Sequence, residues 1–177
     1  MSPSMLDDFR DEFVRYRTIG EQAMAQVSEE HLNRALAPET NSIATLVRHV
    51  SGNLRSRFTE FLTSDGEKPW RNRDAEFEPR KASRAEIDAP SGQGFSVALE
   101  ALHGLRDADL GRPITIRGQA MSVHGALARS IAHTAAHVGQ IVLLARLQAG
   151  ESWVSLSIPR GGSSRYNLNP TREKRPT

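Results

Sequence analysis

The feature that most restricts the fold of this chain is the run from Ser122 to Gly150. It has the period of one long helix and is apolar enough for a core, yet it carries His133 and His137. Positions 126, 130, 133, 137, 140 and 144 recur at alternating spacings of four and three, the seam of a helix packed along its neighbours. Ala126 and Leu144 are ordinary occupants of such a seam. His133 and His137 stand where a plain bundle would place leucine, Ala132, Ala135 and Ala136 keep the surroundings small, and Gly139 is expected to permit a close helix approach. Residues four apart stack on one helical face, so the two imidazoles can aim nitrogens at one ion. The competing explanation is a pair of hydrogen-bonded core histidines, and a metal needs at least one further ligand from elsewhere.

The rest of the chain reads as three more helices and their connections. Leu6, Phe9, Phe13, Tyr16, Gly20, Ala23 and Val27 mark an amphipathic helix, with Asp7, Asp8, Asp11 and Glu12 in its first turns, where the helix dipole favours negative charge. A connection with a short helical turn follows, ending by Pro38. Asn41 or Ser42 caps a second helix running to about Leu62, whose buried side is Ile43, Leu46, Val47, Val50, Leu54, Phe58, Phe61 and Leu62. Beside it runs a polar stripe of Ser42, Thr45, His49, Asn53 and Arg57, which puts His49 at the edge of the core.

Residues 63–82 change abruptly to a charged stretch punctuated by Asp65-Gly66, Pro69 and Pro79, the pattern of a long crossover loop pinned to the body by Trp70 and Phe77. Ser83 and Glu86 form a capping box for a third helix, in which Pro90, Gly92 and Gly94 predict a break before Phe95, Ala98, Leu99, Leu102 and Leu105 resume the pattern. His103 has no partner nearby in sequence and reads as a surface or capping residue. Pro113 to Ser122 alternates around Arg117-Gly118 as a small hairpin, and Ser122 caps the last helix. Trp153, Leu156 and Ile158 are expected to dock a short extended segment. The outline is an all-α, antiparallel four-helix bundle with a long crossover loop and a small hairpin before the last helix, a fold whose core recurrently holds metals. Residues 1–160 are read as one domain, and residues 161–177 as a polar C-terminal tail with a loose far end.

Composition removes several function classes. With no cysteine, disulfides, thiolate metal sites and cysteine nucleophiles are excluded, so any metal is held by nitrogen and oxygen. The 23 basic and 21 acidic residues are interleaved, and nearly all the bases are arginine, so no basic stripe for nucleic acid is evident. No apolar run of about 18 residues exists to cross a bilayer. The acidic start lacks the basic and apolar regions of a signal peptide, and the expected location is the cytoplasm.

His49 on the second helix can meet His133 and His137 if their helices are neighbours, giving three neutral imidazoles with coordination positions left open, as in catalytic sites. Imidazole suits zinc, nickel, iron and copper alike; a divalent metal is expected, zinc first and nickel second. Candidate catalytic residues are Asn53 and Arg57, one and two turns on from His49, and Glu60 as a general base. Arg57 would steady an anionic substrate or simply form a surface salt bridge.

Three segments also make the chain resemble DinB-like proteins, in particular a bacterial subgroup of unknown function. They are Asn41-Ser-Ile-Ala-Thr-Leu-Val-Arg-His49-Val-Ser-Gly-Asn53, the loop from Ser64 to Asp74, and His133-Thr-Ala-Ala-His137-Val-Gly-Gln-Ile141. The likeness spans nearly the whole chain. It implies an antiparallel bundle with an unusual crossover, frequent homodimers, and a three-histidine site matching His49, His133 and His137. Some such relatives are transferases that use a low-molecular-weight thiol, bacillithiol or mycothiol, or glutathione-type isomerases. The expected function is therefore a metal-dependent enzyme acting on a small-molecule substrate, a thiol-dependent S-transferase or related hydrolase or isomerase. The alternative is a metal-binding or dimeric interaction protein without turnover.

Overall fold

Each of the first five helices begins at a serine whose hydroxyl accepts from the backbone N–H three residues on, satisfying a donor that the helix itself leaves free. The structure, a computed structural model, describes residues 4–174. Its helices are α1 (Met5–Met24), α2 (Glu29–Asn33), α3 (Ile43–Phe58), α4 (Arg84–His103), α5 (Val123–Ala149) and α6 (Ser163–Asn167). An antiparallel hairpin of β1 (Pro113–Ile116) and β2 (Gln119–Ser122) precedes α5. The chain is thus mostly helical, and among the described residues no helix is long and apolar enough to cross a membrane.

The long helices pack α3 on α4, α1 on α5, α1 on α4 and α3 on α5. Their buried faces form two apolar clusters. One gathers Leu6, Phe13, Val50, Leu54, Phe95, Leu102 and Leu127, and the other Met24, Leu32, Leu46, Val47, Ile87, Ile141 and Ala145. On α3 the change from one cluster to the other falls between Val47 and Val50, and His49 lies there. On α5 it falls across Ser130, Thr134 and Val138, beside His133 and His137.

The structure corrects several details of the sequence reading. Ala126 and Ser130 of the expected seam of α5 are buried, but from there on the buried stripe runs through Thr134, Val138, Ile141 and Ala145, one residue on from the expected positions. One residue is a rotation of about 100°. That turn leaves His133 and His137 half-buried at the edge of the stripe and Gln140 exposed. Gly139 faces open space, so it serves no close approach. The second helix stops at Phe58, with Glu60 in left-handed backbone (φ 50°) just beyond it.

The third helix is not broken: α4 continues through Pro90. Its glycines answer to a neighbour instead. A Cβ on Gly94 would lie 2.7 Å from the Cα of Ser51 on α3, so only glycine lets the two backbones approach this closely. The Ser51 hydroxyl donates to the Pro90 carbonyl at 2.6 Å, fastening α3 to the same segment.

At the hairpin, Arg117 and Gly118 both have positive φ (55° and 69°), the type I′ turn that matches strand twist. Asp65 accepts from both of their amides at 2.8 Å, so the start of the crossover is bound to the hairpin. The Glu67 amide, followed by those of Gly118 and Arg117, holds the Asp65 carboxyl far below its ordinary value. Trp70 does not pin the loop: it is 52% exposed, with Arg55 over its ring. Trp153 and Leu156 pack against the second cluster as expected. Part of the polar tail is ordered around Tyr166, whose hydroxyl donates to Glu173 at 2.8 Å and accepts from the Arg172 amide at 2.7 Å. Arg15 of α1 donates to the Arg172 carbonyl at 2.6 Å. The last residues of the tail, 175–177, lie outside the described ones.

Candidate metal centre

Packing of α3 against α5 brings together the three histidines singled out by spacing. One ring nitrogen from each of His49, His133 and His137 lies within 4.8 Å of the other two. The Nε2 atoms of His49 and His133 are 3.2 Å apart. Two nitrogens bound tetrahedrally to one ion at roughly 2.0–2.1 Å stand about 3.3 Å apart, so this pair already has the separation of two ligands.

Behind His49 stands a carboxylate that sequence reasoning missed. Glu76, in a single 3-10 turn at Asp74–Glu76, places Oε2 2.9 Å from His49 Nδ1. A carboxylate only accepts, so Nδ1 carries the proton and Nε2 presents its lone pair to the other histidines. Arg71 grips the same carboxylate with two bonds of 2.8 and 2.9 Å, and Arg48 donates to the Glu76 backbone carbonyl at 2.9 Å. Gly52, one turn after His49, makes room for this: a Cβ there would collide with Glu76 Oε1. The Phe77 ring packs 4.7 Å from that of His49, so the expected anchoring of the loop by Phe77 holds, directly against the site.

Burial and charge keep the triad receptive to a cation. Burial, then repulsion from His137, His49 and the nearby Arg71 and Arg57, pushes His133 down to about 4. His133 is therefore neutral at pH 7. Burial also lowers His137, with the Gln140 hydrogen bond working the other way. Burial pushes the Glu76 carboxyl up, but the bond to His49 and the Arg71 guanidinium more than reverse this and hold it below the ordinary carboxylate value. His137 Nδ1 meets Gln140 Oε1 at 3.1 Å, while His133 Nδ1 is buried with no partner among the described residues.

Of the other candidates, Asn53 and Arg57 line the cleft beside His49 and His133. Arg57 also pairs with Glu67 at 3.2 Å and donates to the Gly66 carbonyl. Glu60 is exposed past the end of α3 and does not line the cleft. Gln140 was also missed, having been placed in the buried seam, although its spacing of three from His137 was a signal that could have found it. Glu76 carries no such signal, because 27 residues separate it from its partner.

The chain belongs to the family described as "Protein of unknown function (DUF1572)", whose model matches residues 1–162. No curated protein matches it.

Proposed function

We propose that this member of the DUF1572 family is a metal-dependent enzyme, built as a DinB-like antiparallel four-helix bundle of α1, α3, α4 and α5. His49, His133 and His137 hold one divalent cation, zinc first and nickel second. The observation that carries this reading is the convergence of three ring nitrogens from two helices within 4.8 Å. Their chemistry fits the ion: His133 is neutral at pH 7, and its depressed proton affinity leaves a lone pair free for a metal. The Arg71–Glu76–His49 chain is the kind of buried outer support that orients metal-bound imidazoles. When bound, such an ion would supply Lewis acidity that lowers the pKa of a thiol or water.

The reaction class is transfer of a low-molecular-weight thiol to an electrophile. The sulfur forms the new bond, the leaving group departs with its electron pair, and the thiol proton goes to solvent. Asn53 and Arg57 position the small substrate in the cleft, while Glu76 fixes the proton on His49 Nδ1 and Gln140 orients His137. The test is to incubate the zinc-loaded chain with low-molecular-weight thiols and an electrophile. Product is expected from the wild type and not from His133→Ala.

Ligation without turnover would instead support the second reading, a metal-binding protein that works through a dimer surface. Leu143 and Leu147, one turn apart on α5 and 57% and 60% exposed, favour such a surface. A homodimer through this face is part of either reading.

A further inference from the structure

His49 and His133 open onto a cleft of about 150 Å³ lined by Arg57, Arg71, Arg73, Arg117 and Arg129, with no carboxylate among the described residues of its wall. These arginines come from α3, the crossover, the hairpin and α5, and folding concentrates them at one mouth. The acids that answer them are fewer. Glu76 takes Arg71, Glu67 is shared by Arg57 and Arg117, and Asp74 stands 3.6 Å from Arg73 in a fully solvated position. Arg129, on α5 one turn before His133, makes no ion pair or hydrogen bond among the described residues. The cleft is thus positive before any cation is added. Imidazole ligands carry no negative charge to offset a dication, and low-dielectric walls focus the resulting field.

We propose that the cleft binds a ligand through a carboxylate or phosphate group, with Arg129 and Arg73 as its principal contacts. The inference rests on the metal-centre reading for its role in a reaction, but the anion site stands on the arginines alone. A guanidinium is a planar fork that matches carboxylate and phosphate oxygens in pairs. Arg129 lies four residues from His133, so the two side chains share a helical face and one molecule can meet both. The size of the cleft suits an anionic head with a few further atoms, well below the usual volume for a large ligand. The substrate class at this centre is accordingly a small acid or phosphate ester, or a thiol bearing a carboxylate.

The test titrates the full chain, metal-free and zinc-loaded, with inorganic phosphate, malonate and the uncharged malonamide. Phosphate and malonate are expected to bind and malonamide not. Arg129→Ala should weaken anion binding about tenfold, the scale of a lost charge-assisted hydrogen bond, with zinc content unchanged. Arg129→Lys should recover part of the loss. Anion binding that persists in a chain unable to hold zinc supports the cleft and removes the metal reading alone. Equal affinity for malonamide, an unaltered affinity in Arg129→Ala, or no anion binding in either metal state overturns the proposal.

Discussion

His49 is 4% exposed and is held from behind by a carboxylate that owes its place to the missing side chain of Gly52. Gly52→Ala should leave the fold intact, since the displaced atom is the end of a flexible side chain, but it should push Glu76 off His49 Nδ1. Loss of such an outer partner typically costs about 10–100-fold in metal affinity, which a competition titration with a coloured chelator would read. An unchanged affinity would separate Glu76 from metal binding. The depressed value of His133 adds a pH signature to the metal-free protein. Between its ordinary 6.5 and about 4, the unfolded chain takes up a proton that the folded chain refuses. Stability should therefore fall as pH drops through that window. The gap between urea midpoints at pH 7 and 4.5 in chelator should be smaller in His133→Asn than in wild type; parallel pH curves for the two would contradict this. At this scale the histidines were legible because an i, i+4 pair and a polar stripe are local patterns. Glu76 was not, because its contact depends on how a charged loop folds over a different helix.

The helices show the same division between local and distant causes. Ser42, Ser83 with Glu86, and Ser122 were readable as caps because a cap bonds three residues away on its own chain. Pro90 and Gly94 were misread because the meaning of the glycine lies on α3, at Ser51. Gly94→Ala should thrust a methyl into that contact and cost about 1–3 kcal/mol by overpacking, seen as a lower urea midpoint with unchanged slope. Pro90→Ala should act in the opposite direction. It restores an amide to an interior helical position where proline costs roughly 3 kcal/mol, and the Ser51 bond to the carbonyl of residue 90 survives it. A Pro90→Ala protein no more stable than wild type would show that the proline serves a contact beyond those described.

Across the whole molecule, two apolar clusters leave a polar gap where α3 faces α5, and the three histidines occupy it. The four long helices and the hairpin could be read from periodicity, capping and turn residues, whereas the short α6 in the polar tail could not. The rotation of α5 could not, because a one-residue shift of the seam is decided by how α1 and α3 pack on it. That rotation leaves His133 and His137 half-buried rather than in the core, with His133 in the wall of a cleft where a solute can reach it. Metal analysis of protein purified without an affinity tag tests the central claim most directly. One divalent ion per chain in the wild type, lost in His49→Ala and in His133→Ala, is the predicted result. A wild type free of stoichiometric metal that also takes up none when zinc or nickel is supplied would contradict it.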